Sequence, residues 1–396
     1  MNNLYQMRQL LFYVFMIVFT STHAQDAWQQ VNDFPEETRI KTSFATPSGA
    51  VVLASVVPVG VINVFTYDAI SDSWEQKADF PYTLGFRFTS FILNDEGYVI
   101  CKDAVSDFNI FIWKYNLAAD TWEPKTGTSY SDFGFGDFYG ASFSINNLGY
   151  LLASGGSSEH FKEYNPISNT WTVKASYPGH SEGRQLGFSI GNRGYFAYNY
   201  DDFSVFPELW EYRPATDNWA RKADVPLYPF TAGAVFSIGE YGYLGMEWNY
   251  QGSFYRYSPA QDLWELIENC GYGGYRTFSF SIGDFGYVGA GSFQDPSTGI
   301  NVISREVWKL DPDLLSVIDN DRNMEIILYP NPSEETVSLY GIDTEVGYKI
   351  FNLSGSLISE GKTVNKTLDV SLLARGVYIL KISSEEKIEY KKFVKN

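Results

Sequence analysis

The stretch YNPISNTW, Tyr164 to Trp171, decides the architecture, because nearly the same eight residues are written five times in 396. The other copies are YDAISDSW (Tyr67 to Trp74), YNLAADTW (Tyr115 to Trp122), YRPATDNW (Tyr212 to Trp219) and YSPAQDLW (Tyr257 to Trp264). Tyr and Trp are seven residues apart in every copy, and successive Trp residues lie 48, 49, 48 and 45 apart. A period of that length belongs to stacked or radially repeated units. Apolar alternation runs up to each Tyr and resumes after each Trp. Between them stand Pro, Asp and Asn, residues that suit a fixed or left-handed φ, so each copy reads as strand, turn, strand.

A second mark precedes each hairpin, a Gly followed by an aromatic or small residue. Its six copies are Gly49-Ala50, Gly97-Tyr98, Gly149-Tyr150, Gly194-Tyr195, Gly242-Tyr243 and Gly286-Tyr287. Short apolar runs such as ASFSI (Ala141 to Ile145) and AVFSI (Ala234 to Ile238) lie upstream. One unit therefore holds four strands, with the eight-residue motif as the hairpin between the third and the fourth. The sixth unit ends VWKLDPD (Val307 to Asp313), with Leu310 in the place of Tyr and no Trp after it. At the other end, AWQQVNDFP (Ala27 to Pro35) resembles SWEQKADFP (Ser73 to Pro81) and reads as a lone fourth strand. These two facts predict a ring in which the segment around Trp28 completes the last unit and leaves only short sheet edges. The hairpin Tyr and Trp are read as packing groups, since each ring buries about 150–250 Å².

Composition agrees with an all-β chain. Hydrophobic residues make up 44% and aromatics 17%, and Tyr and Phe pack well on a pleated surface. The formal net charge of −18 repels phosphate backbones and anionic lipid heads, which argues against nucleic acid as a partner. Residues 1–24 differ from the rest: Arg8, the apolar run Leu10 to Phe19, and Thr22-His23-Ala24 read as a signal peptide cleaved after Ala24. The run is shorter than the roughly 20 residues a membrane span needs, so the mature chain is expected to be exported without a transmembrane span. Two cysteines, Cys101 and Cys270, are too few for a disulfide scaffold.

The Gly-Tyr mark with the Tyr-to-Trp hairpin resembles the kelch repeat of β-propellers, from Ala27 to about Asp313. The usual glycine pair closing the second strand survives only as Gly155-Gly156, and an Arg ahead of the first strand appears only as Arg87, Arg184 and Arg276. After a polar stretch, the tail reads as short alternating strands parted by Gly and Asn, a small immunoglobulin-like β-sandwich. Its YPNP opening (Tyr329 to Pro332), NLSGSLISEG hairpin, LDVSLLARGVYILKI segment and YKKFVKN ending are similar to the C-terminal sorting domain of the type IX secretion system. That resemblance implies passage across the outer membrane of a Gram-negative cell, with the type IX machinery and a surface sortase as partners. Gly376 is the tail position expected to tolerate a side chain least. DNDRN (Asp319 to Asn323) starts like a calcium loop, but Met324 stands where such a loop needs Gly and Pro330 where it closes with Glu.

The expected domains are thus a signal peptide (1–24), a six-bladed kelch-type propeller (25–314), a linker (315–325) and the sorting domain (326–396). The loops after each second and fourth strand should share one face and hold any site. His160, His180, Glu182, Arg184, Asp201 and Asp202 fall there and could converge in one sector, a set suited to a divalent metal or to acid/base work. Tyr200, Trp248 and Tyr250 offer flat rings for a sugar or an extended peptide, and Arg87, Arg184 and Arg276 offer paired donors for a carboxylate. Copper oxidase chemistry of the galactose-oxidase kind needs two His, two Tyr and a Cys crosslinked to one Tyr, whereas the two His left after signal removal fall in one sector and Cys101 ends a strand; neither a nucleophile elbow nor a Gly-rich phosphate loop is present. No cofactor or metal is expected. The reading that results is a secreted or cell-surface protein recognising a glycan or protein noncovalently. The alternative is a sugar-modifying enzyme, an epimerase or mutarotase of acidic sugars.

Overall fold

The structure is a computed structural model. It describes residues 27–395 apart from 47–48, 56–59, 84, 104–109, 126–140, 153–160, 180–183, 200–207, 227–232, 246–252, 269, 271–273, 275–276, 295–300, 316–325, 330, 341–344, 353–355 and 384–387. Its described residues are all-β, with a single 3-10 turn at Pro312–Leu314.

Strand β1 (Trp28–Val31) comes first. One antiparallel sheet follows in chain order: β2 (Arg39–Thr46), β3 (Gly49–Ser55), β4 (Asn63–Asp68) and β5 (Ser73–Lys77). The pattern repeats in β6 (Gly85–Leu93), β7 (Glu96–Asp103), β8 (Ile110–Asn116) and β9 (Thr121–Lys125). It repeats again in β10 (Ala141–Ile145), β11 (Leu148–Leu152), β12 (Phe161–Asn165) and β13 (Thr170–Val173). The next sheet is β14 (Arg184–Ile190), β15 (Arg193–Asn199), β16 (Leu209–Arg213) and β17 (Asn218–Lys222). Then come β18 (Ala234–Ile238), β19 (Tyr241–Gly245), β20 (Phe254–Ser258) and β21 (Leu263–Ile267). Last are β22 (Phe278–Ile282), β23 (Phe285–Gln294) and β24 (Asn301–Leu310), and here the outer place is taken by β1, in the order β1-β24-β23-β22. The first strands lie side by side in a closed cycle, β2 by β6, then β10, β14, β18, β22 and β2 again. This arrangement is compatible with a propeller.

The repeated motif explains how one sheet holds the next. Within each hairpin the Tyr hydroxyl donates to the residue five places on: Tyr67 to Asp72 at 2.8 Å, and Tyr115 to Asp120, Tyr164 to Asn169, Tyr212 to Asp217 and Tyr257 to Asp262 at 2.7 Å. Those acceptors sit at φ between 45° and 53°, a left-handed conformation that Asp and Asn tolerate best among residues with a side chain. In four hairpins the aspartate also accepts the backbone N–H of a residue just past the fourth strand of the preceding sheet, and the Trp indole donates to the carbonyl of that same residue. Asn32 is held by Asp72 and Trp74 (both 3.1 Å), Ala78 by Asp120 and Trp122 (3.2 and 3.3 Å), Ala175 by Asp217 and Trp219 (3.0 and 2.9 Å), and Ala223 by Asp262 and Trp264 (2.9 and 3.0 Å). Each clamp satisfies both groups of one peptide residue. A hydrogen bond to a charged acceptor contributes about 1.5–3 kcal/mol.

The sixth junction uses the same geometry with residues from both ends of the ring. Trp28 lies opposite Leu310 in the β1–β24 register, as Trp74 lies opposite Tyr67 in β5–β4. Its indole donates to the carbonyl of Glu268, the first residue after β21, at 2.8 Å. The Asp311 N–H donates to Ala27 O at 2.8 Å. Next to this clasp, Phe34 and Arg305 exchange bonds: Phe34 N–H to Arg305 O at 2.8 Å and Arg305 Nε to Phe34 O at 2.7 Å.

The glycine mark has a steric cause. In β7, β11, β15, β19 and β23 its Gly lies under a Phe ring from the first strand of the sheet before; a Cβ on Gly194 would sit 2.1 Å from Phe143, and one on Gly97 2.2 Å from Phe44. Four of those Phe rings, all but Phe44, stack on the Tyr of their own sheet's glycine mark, as in Phe188 on Tyr195 (5.1 Å between centroids) and Phe236 on Tyr243 (5.2 Å). In the first sheet the register corrects the sequence alignment. Ala50, not Gly49, stands opposite Tyr67, as Gly97 stands opposite Tyr115. Gly49 has φ of 149° and its side-chain direction meets Tyr67 O, a separate reason for glycine.

The inner strands carry a hydroxyl seam. Ser90 Oγ donates to Ser43 O (2.9 Å), Ser142 Oγ to Ser90 O (2.8 Å), Ser279 Oγ to Val235 O (2.9 Å) and Ser43 Oγ to Ser279 O (3.1 Å), the last joining residues 236 apart. The seam is interrupted at Gly187, where a Cβ would lie 2.6 Å from Ser142 O, and at Val235, which has no hydroxyl to give. Cys101 and Cys270 are buried in different apolar clusters and no disulfide joins them.

The tail has two antiparallel sheets: β25 (Ile327–Tyr329), β26 (Thr336–Tyr340) and β29 (Thr367–Asp369) in one, and β28 (Leu357–Lys362), β27 (Gly347–Asn352), β30 (Gly376–Ser383) and β31 (Ile388–Lys395) in the other. Val337, Leu339 and Leu368 of the first sheet share one apolar cluster with Ile350, Leu380, Ile382 and Phe393 of the second. Gly376 opens β30 at φ of 157°, and the Tyr378 hydroxyl reaches back past it to Ala374 O at 2.7 Å.

Replacing Trp28 with Ala removes the indole clasp and a nearly fully buried ring. It is expected to lower the unfolding free energy by about 3–5 kcal/mol in a urea titration. A cost below about 1 kcal/mol would show that closure does not depend on it. A second expectation concerns acid. Burial opposes the charge on Asp217 and Asp262, but their N–H donors Ala175 and Ala223, the Tyr212 and Tyr257 hydroxyls, and Lys174 and Lys222 outweigh it, leaving both carboxyls below their ordinary 3.8. A carboxyl depressed on folding adds stability above its unfolded pKa and loses it as pH falls through the folded one. The melting temperature should therefore drop below about pH 4, and Asp217→Asn with Asp262→Asn should melt lower at pH 7 and show a shallower acid decline. A decline as steep as the parent's would count against the clamp.

Candidate functional site

Most of the residues singled out by sequence lie outside the described residues: His160, His180, Glu182, Tyr200, Asp201, Asp202, Trp248, Tyr250 and Arg276. Arg184 begins β14 opposite Asn199, with its side chain undescribed. Arg87 is half-buried in β6, at φ of 54°, where the β6–β7 register slips between Phe86 and Phe88. The bulge is a physical reason for its unusual backbone. DNDRN is likewise undescribed, and among the described residues no group of His, Cys, Asp and Glu could hold a metal.

The described structure adds a cluster that the sequence did not suggest. Glu208 is the first described residue after 200–207, and it is buried although charged. Its carboxylate accepts from the Trp210 indole at 2.9 Å and from Arg221 Nη1 at 3.0 Å. Arg221 Nη2 donates to Asp224 at 2.7 Å, and the guanidinium carbon lies 6.0 Å from the centre of the Trp210 ring. The hydrogen bond to Asp224 leads the influences that keep Arg221 protonated, its pKa raised further still. Beneath the cluster, Gly179 approaches so closely that a Cβ would lie 2.6 Å from Trp210 Nε1 and 2.7 Å from the Tyr177 ring. Tyr177 is buried against Phe196, Trp210 and Trp219.

These residues come from the fourth sheet and the connections on either side of it. Trp210 and Arg221 are directly opposed across β16 and β17, while Glu208 and Asp224 each stand just outside a strand. The result is a fixed indole and a half-exposed guanidinium whose two carboxylates are already engaged. Such a shelf suits stacking and charge recognition; it offers no unengaged base for proton transfer. No positional pattern in the sequence pointed to it, because the partners are 13 residues apart and join only through strand pairing.

A second buried carboxylate, Glu211, has a structural role. Burial opposes its charge, but Arg213, the Tyr195 hydroxyl, Arg193 and Lys222 more than compensate and hold its pKa low. Arg213 Nε approaches at 2.6 Å, Arg193 Nη1 at 3.1 Å and the Tyr195 hydroxyl at 3.0 Å.

The model for a secretion system C-terminal sorting domain matches residues 327–396. The tail sorts the protein through the type IX system, so it is secreted or sits at the outer cell surface. No curated protein matches the chain. Among the described residues no helix is long and apolar enough to cross a membrane.

Glu208→Ala should leave Arg221 and the Trp210 indole without their shared acceptor. It is expected to cost about 1–3 kcal/mol in chemical unfolding and to shift tryptophan emission. An unchanged spectrum together with unchanged stability would show that the cluster is not held as described.

Proposed function

We propose that the protein is a secreted or cell-surface binder that recognises a glycan or protein through the loop face of a six-bladed kelch-type propeller. Residues 1–24 act as a signal peptide, 25–314 form the propeller, 315–325 link it to the tail, and 326–396 form an immunoglobulin-like sandwich read by the type IX machinery and a surface sortase. Support for the ring comes from the cycle of first strands and from β1 standing in the outer place of the last sheet.

The observation that carries binding over catalysis is the Trp210 and Arg221 shelf. Its two carboxylates are engaged by the half-exposed Arg221, which fixes a ring and a guanidinium side by side, groups of the kind that hold sugars and peptides. His160, His180, Glu182, Arg184, Tyr200, Asp201, Asp202, Trp248 and Tyr250 are assigned to the same loop face, together with Arg87 and Arg276. An acidic-sugar epimerase or mutarotase is the competing reading, and it rests on His160, His180 and Arg184.

The mature full-length chain should retain one or a few glycans on an array, or one protein in a pull-down of surface extracts, with Arg221→Met weakening capture at least tenfold. Turnover of an acidic sugar that is lost on His160→Ala or His180→Ala would replace this reading with the enzymatic one.

A further inference from the structure

We infer that the outward face of the four-stranded tail sheet, an apolar patch ringed by lysines, is the surface by which the export machinery grips this chain, through an apolar patch of its own with carboxylates at its rim. This inference rests on the type IX reading and names the surface which that reading leaves open.

The sheet β28-β27-β30-β31 turns one face to the shared core. In β30, Tyr378, Leu380 and Ile382 are buried, while Val377, Ile379 and Lys381 between them are only half-buried. Cross-strand register extends that outer face. Leu357, Phe351, Ile379 and Lys392 form one row across all four strands, and Val377 stands opposite Val394 beside it. Lys349 and Lys381 are direct partners in the next row. Leu357 keeps 46% of its surface in solvent. The face therefore has an aliphatic and aromatic centre with Lys349, Lys381 and Lys392 around it, and among the described residues Glu360 at its β28 side brings the negative charge, 2.7 Å from Lys349.

The sheet's edges are unequal. Outside β31, Ser333 donates its N–H to Val394 O, and Asn331 donates to Lys392 O and accepts from Val394 N–H, so the YPNP opening closes that edge. Beyond β28 no described strand pairs. The apolar row ends at this edge. Charge complementarity selects the occupant: lysines around a hydrophobic centre fit a protein surface carrying aspartates or glutamates. The 25–324 stretch, with 19 basic and 37 acidic residues, contrasts with the tail's 9 and 9 in 327–396, so the tail lacks the acidic excess of the rest.

The test is export of the full chain in a host with a type IX system, scored as the ratio of surface plus medium to periplasm. Ile379→Glu should cut that ratio at least tenfold, and Lys381→Glu with Lys392→Glu several-fold, whereas Leu372→Glu, at a fully exposed site off the sheet, should leave it within twofold. Each variant is also expressed without its leader and melted. If Ile379→Glu proves unfolded, Leu357→Glu at the exposed end of the row decides instead. Parental export of a folded face variant overturns the inference. Removal of 327–396 is the separate control: if export survives it, the type IX reading itself fails, whatever the face variants do.

Discussion

The pairing of β1 with β24 is the constraint on which the rest of the ring depends. Each of the other junctions joins sheets whose strands are consecutive, so the chain itself keeps them close. Strands β22 to β24 are tethered to the first sheet only through β1, which is held to β24 by four strand pairs and the exchange between Phe34 and Arg305, while its Trp28 indole reaches Glu268 beyond the fifth sheet. Without it β24 would have a bare edge, and the join of Ser43 with Ser279 would rest on side-chain packing alone.

Why the clamp works so regularly follows from its choice of partner. It grips the backbone of Asn32, Ala78, Ala175 and Ala223, and of Glu268 through Trp28, so the grip does not depend on one kind of gripped side chain, although Asn32 adds a bond of its own from Nδ2 to Asp72 O. Directional strength lies in the motif, where an Asp at left-handed φ and an indole two residues later point at one peptide. Stacked Phe and Tyr rings then fill the space between neighbouring sheets, and glycine is required where a ring lies flat on the next strand.

Much of this was legible in the sequence because it is local and repeated. The Tyr-to-Trp interval, the missing Trp after Leu310 and the lone strand at Trp28 each follow from hairpin geometry that recurs at constant phase. Gly49 was misread because glycine serves two ends: beneath a Phe ring it is steric, whereas at Gly49 it answers a positive φ, and only register separates them. Residues whose meaning depends on cross-strand partners were not legible. Glu208, Trp210, Arg221 and Asp224 look like ordinary surface charge and an ordinary aromatic until pairing of β16 with β17 brings them together. Of the histidine sector the described residues say nothing, and its role stays with the sequence reading.

The clasp at Trp28 also has a kinetic side. Its indole must find a carbonyl 240 residues away in the chain, and the entropy of closing so long a loop is lost before any bond forms. Contacts of such separation form late. In the interval the outer side of β24 shows unpaired amides that a β1 from another molecule satisfies equally well, so crowding favours exchange of that strand between molecules, and dilution favours a sealed monomer.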